Sequence, residues 1–330
     1  MITADKLPQG FTVQIPTMDD VEAAFEVVHA YDIAYDGVID HTLDEFRQAW
    51  QEPNFNLATD AWCVYSPEGR LIGVADTDHR EHVKLYSMVR VHPAYSNRGI
   101  EDHLLTLVEA RAQEHIALAA PHARVSLGNW ISCHDQAGID ALKRAGFTFS
   151  RSYWRMEIDL KQAPLAPQWP EGVTMHTFQV GREERAVFEM MEEAFQDHYG
   201  HMPSSYEHWA HWQFSETFDP DLWFLAFEGN AMAGGILCHH FRDLEMGWVG
   251  QLAVLRPWRR KGLGMALLLH AFGEFYRRGI YKVGLGVDSQ NLTGATRLYE
   301  RAGMHVALQH DTYEKELRPG VELSTQSIAV

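Results

Sequence analysis

Val254-Leu255-Arg256-Pro257-Trp258-Arg259-Arg260-Lys261-Gly262-Leu263-Gly264-Met265-Ala266-Leu267-Leu268-Leu269 is the stretch on which the reading of this chain turns. An apolar strand ends at a proline, a basic turn with two glycines follows, and a strongly amphipathic helix begins. That order builds an anion site. The first turn of a helix leaves backbone N–H groups without carbonyl partners, and the helix dipole adds positive potential at the same end. Gly262 and Gly264 remove side chains that would hold a pyrophosphate off those amides. Arg259, Arg260 and Lys261 add formal charge beside them. Taken alone, R-x-x-G-x-G fits a glycine-bearing turn with a solvated basic run equally well.

Working outward, alternation and helical periodicity predict one series of elements around this turn. Upstream come a strand at 173–180, helices at 182–199 and 204–216, and strands at 221–229, 232–242 and 246–255. Downstream come the helix at 262–279, a strand at 281–288, a helix at 293–302 and a strand at 305–317. The same order recurs in the first half. Ala24-Phe25-Glu26 matches Val187-Phe188-Glu189, Glu68-Gly69 matches Glu228-Gly229, and Ile72-Gly73 matches Ala233-Gly234. Val91-His92-Pro93 matches the Val254-to-Pro257 strand end, and Ala145-Gly146-Phe147 matches Ala302-Gly303-Met304. The offset stays near 160, which marks a duplication. Between the copies, Lys161–Gly172 holds three prolines and reads as an extended linker. The expected class is α+β, twice over: residues 1–160, a linker at 161–172, residues 173–317, and an unassigned tail at 318–330. Each copy has a mostly antiparallel mixed sheet with one parallel, helix-crossed step.

Composition narrows the function. At 330 residues the chain suits two domains, and 46% apolar with 22% charged residues is ordinary for a globular protein. No apolar run reaches the roughly 18 residues of a membrane span, and the start lacks a secretory layout, so a cytoplasmic protein is expected. Cys63, Cys133 and Cys238 show no C-x-x-C spacing, which excludes a disulfide scaffold and a cysteine zinc site. A formal charge of −17 argues against nucleic acid and permits a cationic amine partner.

Beyond the turn lie Gly284-Leu285-Gly286-Val287-Asp288-Ser289-Gln290-Asn291 and Ala295-Thr296-Arg297-Leu298-Tyr299-Glu300-Arg301-Ala302-Gly303-Met304. The strand-end proline, the R-x-x-G-x-G turn, the later asparagine and the A-x-x-L-Y-x-x-x-G helix together resemble the GNAT superfamily of N-acetyltransferases. The duplicated layout is similar to its tandem members. The resemblance covers most of 173–317 and implies two tandem GNAT folds, with fourth and fifth strands that splay apart to admit the pantetheine arm of acetyl-CoA. It implies that backbone groups of Leu252, Ala253 and Val254 bind the pantetheine. Arg259, Arg260, Lys261, Gly262, Leu263 and Gly264 would bind the pyrophosphate, and Asn291 would sit by the cofactor. Tyr299 falls where relatives place the acid that protonates the leaving thiolate. The positions that often carry a base hold Trp248 and Gly250, so Asp288 is the candidate base, with Glu245 and a water chain as alternatives.

The first copy departs from the motif. Ser96 and Glu101 stand where the basic residue and second glycine belong, and Leu142 and His134 replace the tyrosine and asparagine. It also carries 13 basic against 24 acidic residues through Leu160. It reads as a degenerate copy with weak or no CoA binding. The expected activity is acetyl transfer from acetyl-CoA to a primary amine, by direct transfer, with a small-molecule acceptor. A silent acyl-CoA-binding module and a protein N-acetyltransferase are the alternatives. The histidines and aromatics of 195–212, and His239-His240, read as packing residues or as lining for the acceptor. No metal is expected.

Overall fold

The structure is a computed structural model that describes residues 7–291 and 293–327. In the first repeat the elements are β1 (Thr12–Gln14), α1 (Val21–Tyr35), α2 (Leu43–Trp50), α3 (Leu57–Asp60), β2 (Ala61–Tyr65), β3 (Leu71–Arg80), β4 (Lys84–Val91), α4 (Ile100–His115), β5 (Val125–Ser132), α5 (Gln136–Arg144) and β6 (Thr148–Asp159). The second repeats them as β7 (Val173–Thr177), α6 (Glu184–Phe195), α7 (Tyr206–Gln213), β8 (Trp223–Glu228), β9 (Ala231–Phe241), β10 (Met246–Val254), α8 (Leu263–Arg277), β11 (Lys282–Asp288), α9 (Ala295–Arg301) and β12 (His305–Arg318). Each element of the second series lies within a few residues of its expected place. The α+β class and the tandem repeat of one fold stand.

Compactness divides the chain differently from its order. One unit holds residues up to Ser152 together with Gln309–Leu323, and the other holds Tyr153–Leu308 with the residues from Ser324. The reason is strand exchange. Residues Tyr153–Asp159 of β6 pair antiparallel with Asp288–Lys282 of β11, while β12 pairs antiparallel with β5 from His310↔Ser132 to Arg318↔Val125. The sheet order is β1-β2-β3-β4-β5-β12 in the first unit and β6-β11-β10-β9-β8-β7 in the second. The tail is also placed: the Val321 N–H donates to the His122 carbonyl at 2.8 Å, and the Gly200 N–H to the Thr325 carbonyl at 2.7 Å.

In the second unit the sheet is covered on both faces, and period-2 alternation assigns the faces. Phe224, Ala226, Ile236, Cys238 and Val249 pack with Leu267, Leu268, Phe272 and Phe275 of α8. Trp223, Leu225 and Leu237 pack on the opposite face with Val187, Met190 and Met191 of α6 and Trp209 of α7. Helix starts follow local chemistry: Ser205 caps α7 by accepting from the His208 N–H at 3.1 Å. Lys161–Gly172 forms no regular element, and its Trp169 ring lies 5.9 Å from that of His270 on α8. No helix among the described residues is long and apolar enough to cross a membrane.

Candidate functional site

Strands β10 and β11 run parallel, but their pairing covers only Met246–Trp248 against Lys282–Gly284. Beyond that point they separate. The expected splay of the fourth and fifth strands is therefore present. Gly284 makes room for its first wedge: a Cβ there would meet Trp248 Cζ3 at 2.9 Å. On its other edge β10 slips register against β9 between Val249 and Gln251, with Gly250 as the extra residue. The bulge puts Gln251 on the α7 side, where its Oε1 accepts from Trp209 Nε1 at 3.2 Å. It leaves Leu252 and Val254 against the α8 core and Ala253 against α6.

The chain leaves Val254 through a short 3-10 turn, Arg256–Trp258, and enters α8 at Gly262. Arg260 and Gly262 are both left-handed, with φ of +62° and +91°. No side chain caps α8, and no protein acceptor takes an amide of residues 260–264 among the described residues. Gly264 permits close packing rather than an unusual dihedral: a Cβ would lie 3.3 Å from Leu298 Cδ2 of α9 and 3.7 Å from Val254 Cγ2.

The three cations of the turn part company. Arg259 faces inward, donating from Nε to the Val254 carbonyl at 2.9 Å and from Nη2 to the Ala194 carbonyl at 3.0 Å. It also pairs with Asp197, which receives Arg256 as well, Nε to Oδ2 at 3.1 Å. The bonds from Arg256, aided by Arg259, hold the Asp197 carboxyl down at about 2, against the pull of burial. Arg260 and Lys261 are exposed and make no hydrogen bond or ion pair among the described residues. Two of the three cations are uncommitted. The Asp197 clamp gave no signal in the sequence, because nothing local ties it to a turn some sixty residues later.

Tyr299 lies on α9 and is 8% exposed among Leu263, Val287 and the α8 core. Its hydroxyl has no hydrogen-bond partner among the described residues, and burial lifts its pKa to about 12. Asn291 turns toward α9 instead of into open space: its Oδ1 accepts from the Thr293 N–H at 2.9 Å and the Ala295 N–H at 3.2 Å. Asp288 ends β11, with Oδ1 accepting from the Gln290 N–H at 2.8 Å. Glu245 sits before the paired end of β10, about 10 Å of strand from Trp248. Leu252, Ala253 and Val254 border the separated strands, though the Val254 carbonyl already holds Arg259.

The aromatic segment before β8 is largely a packed cluster. Trp209, Phe214 and Phe218 surround the fully buried Trp223, with ring centroids 6.1, 5.7 and 5.0 Å away. The histidines of 198–211 gather no third metal ligand among the described residues. His239 is a different matter. It is buried beside the bulge, where a Cβ on Gly250 would meet its Nε2 at 3.2 Å. Burial takes its pKa down to about 4, so the ring is neutral. An isolated glycine inside a strand pattern was the available signal for that bulge.

The corresponding place in the first unit is filled. β4 and β5 also pair in parallel over four residues and then part. Arg90, 1% exposed, lies in that gap and donates from Nη1 to the carbonyls of Val89 on β4 and Trp130 on β5, each at 3.0 Å. At the start of α4, the Glu101 carboxylate accepts from the Asn97 N–H at 3.3 Å and is 7% exposed. Leu142 is buried and His134 exposed.

Splayed parallel strands beside an uncapped, glycine-opened helix, with a buried tyrosine behind them, define an acyl-CoA-dependent acyltransferase. The chain belongs to the acetyltransferase (GNAT) family, whose sequence pattern matches residues 185–304. It is 36% identical to a GCN5-related N-acetyltransferase from Sphaerobacter thermophilus, whose crystal structure superposes with a TM-score of 0.82, covering 97% of this chain and all of that one. A mycothiol acetyltransferase of Thermobispora bispora is 32% identical over 220 residues, which is 64% of this chain and 70% of that protein. A tandem GNAT protein from the clavulanic acid pathway shares the fold at 17% identity, with a TM-score of 0.66 over 94% of this chain and all of that one. The protein is thus a transferase, and an acyl-CoA is its co-substrate.

Proposed function

We propose that the second unit transfers the acetyl group of acetyl-CoA to a primary amine of a small molecule, directly within a ternary complex. One arrangement carries the reading: the uncapped α8 N-terminus, with Arg260 and Lys261 uncommitted beside it, opens next to the separated ends of β10 and β11. The amides of residues 260–264 would take the pyrophosphate, helped by those two cations, while Arg259 holds the turn closed through Asp197. An anion at such a helix end gains about 0.3–2 kcal/mol from the dipole alone. The backbone of Leu252, Ala253 and Val254 would run beside the pantetheine. Asn291 supports the site by capping α9, which carries Tyr299.

The amine lone pair attacks the thioester carbonyl carbon, the C–S bond breaks, and the CoA thiolate takes a proton from Tyr299. Raising a phenol from about 10 to about 12 favours its neutral form by roughly 3 kcal/mol, so the donor is in place at neutral pH. The same apolar surroundings raise the affinity of the leaving thiolate for that proton. The ammonium proton goes to Asp288 at the end of β11. A second candidate rests on the bulge, since His239 is neutral and lies against the glycine that leaves it space. The first unit takes no part in the chemistry and binds CoA weakly or not at all.

The test is acetyl-CoA turnover, read as thiol release, against a panel of small amines including amino sugars, with peptides followed by intact mass. Peptide acetylation without small-amine turnover would refute the acceptor class. Tight acetyl-CoA binding with no turnover on any amine would favour a sensing module. In the same assay Asp288→Asn and His239→Gln separate the two bases: the true one loses about 10²-fold or more in kcat, the other little.

A further inference from the structure

Three histidines of the first unit meet at a place that acyl transfer does not use. His79 stands near the end of β3, His82 in the turn that follows, and His115 at the last residue of α4. The turn closes with the Val83 N–H donating to the Arg80 carbonyl at 3.0 Å. Both its central residues, Glu81 and His82, are left-handed, with φ of +49° and +56°. Such turns ordinarily take Asn-Gly or Asp-Gly, because other side chains pay in strain there. Here the strained position carries an imidazole.

The three rings converge. Centroids of His79 and His82 are 4.0 Å apart, those of His79 and His115 4.6 Å, and those of His82 and His115 5.0 Å. The Nδ1 atoms of His82 and His115 are 2.9 Å apart, and one ring nitrogen from each residue lies within 4.8 Å of the others. A tetrahedral zinc with Zn–N bonds of about 2.0–2.1 Å sets its nitrogens about 3.3 Å apart. The nitrogen spacings here, 2.9 Å for one pair and within 4.8 Å for all three, bracket that value. Imidazole ligates zinc in its neutral form, so binding releases any proton the rings carry.

We propose that His79, His82 and His115 form a binding site for one zinc-class divalent ion in the first unit. An all-imidazole donor set suits zinc and its transition-metal neighbours and is wrong for magnesium or calcium, which take oxygen ligands. Three protein nitrogens leave a fourth position for water. Asp60 is buried nearby, bonded to Arg111 at 2.7 Å and to the Asn56 N–H at 2.8 Å, and its charge acts on both His79 and His115. Arg111, its partner, faces the same two rings with the opposite charge, so the site rests on its three nitrogens. The local signal for the cluster is the H-x-x-H spacing of His79 and His82; His115 joins them only through the fold.

The experiment is titration of the chelator-treated full chain with zinc alone, followed by cobalt as a spectroscopic substitute. One zinc per chain, a higher Tm on loading, and the strong visible bands of tetrahedral cobalt are expected. His82→Asn is the key variant, because asparagine tolerates the left-handed turn and so preserves the fold of the metal-free protein. It should weaken zinc binding by about 100-fold or more while leaving the metal-free Tm unchanged or higher, and His115→Gln should weaken it similarly. Equal zinc affinity in wild type and both variants would overturn the assignment, placing the metal on other histidines. So would cobalt bands typical of six-coordinate hexahydrate, or no stoichiometric zinc at all.

Discussion

The turns before α4 and α8 have almost the same backbone and opposite contents. Asn97 and Arg260 are left-handed at φ of +61° and +62°, and Gly99 and Gly262 at +82° and +91°. Both turns follow a strand that has parted from its parallel neighbour. At the next helical positions the copies diverge: Glu101 folds back onto the Asn97 amide, whereas Gly264 leaves the same ground bare. Burial raises the Glu101 pKa while its bonds to the turn lower it. The gap beside each turn diverges too: Arg90 ties β4 to β5, whereas the matching position of β10 is Ala253, whose side chain has no polar atom to form such a bridge. The turn geometry is therefore a property of the fold, set by two positions that tolerate positive φ. The anion binding proposed for the second copy would then depend on what the following residue and the splayed strands leave open.

The sharpest way to break this contrast is to give the second copy the content of the first. Gly264→Glu places a carboxylate over the α8 amides, in space already limited by Leu298 and Val254. Calorimetry should show acetyl-CoA affinity falling by about 10³-fold, since the change both removes the amides and adds repulsion. Retained affinity would mean that the phosphates lie elsewhere. The next effect concerns Tyr299, whose counterpart is Leu142. Tyr299→Phe keeps the buried ring and removes the partnerless hydroxyl, so kcat should drop by about 10²-fold with cofactor affinity nearly constant. A normal kcat would make the tyrosine a packing residue, as Leu142 is.

What could be read beforehand depended on how local the physics was. The turn, its glycines and the order of elements follow from periodicity and punctuation within short windows, and the second repeat lies where expected. The strand exchange was invisible, because β6 and β12 have the alternation of final strands whichever fifth strand they join. Within the basic run, charge alone could not separate Arg259 from Arg260 and Lys261. The separation comes from Asp197, 59 to 62 positions away, which captures one of them with Arg256. Asn291 is expected beside the cofactor from its motif, whereas its side chain bonds the amides at the entry to α9, a contact the motif does not signal. His239 was legible only through Gly250, since the room for its ring is created by the missing side chain there.

The Asp197 clamp has no equivalent among the described residues of the first copy, where Ser96 replaces Arg259, and this gives a smaller test. Asp197→Asn weakens its hold on Arg256 and Arg259 and loosens the turn, so acetyl-CoA affinity should fall by about 10-fold. The sign of the pH effect follows from the lowered pKa. Folded Asp197 titrates near 2, below its unfolded value of about 3.9, so its stabilisation is complete above about pH 4. It is lost as pH falls from about 4 toward 2. Wild type minus variant, measured as Tm, should be about 2–5 °C at pH 7 and shrink over that acid window. A difference that stays constant down to pH 2 would show that the carboxylate is not paired as described.

The smallest effect comes from the reciprocal exchange, Glu101→Gly. It strips the carboxylate from the α4 amides and gives the first copy the glycine of the second. Two costs follow in stability: loss of the bond to the Asn97 amide, and glycine in the first turn of a helix, at about 0.5–1 kcal/mol. A Tm lower by about 1–3 °C is expected. Acetyl-CoA stoichiometry should remain at one per chain. Removing Glu101 clears the phosphate position but not the way to it, because Arg90 still bridges Val89 and Trp130 where an inserted arm would need backbone partners. Ser96 and Asn97 also supply no charge in place of Arg259 and Arg260. A second acetyl-CoA bound with affinity near the first would show that Glu101 alone closes the first copy. The bridge at Arg90 would then be a filler that yields to ligand, and the first unit would be a dormant site one substitution from use.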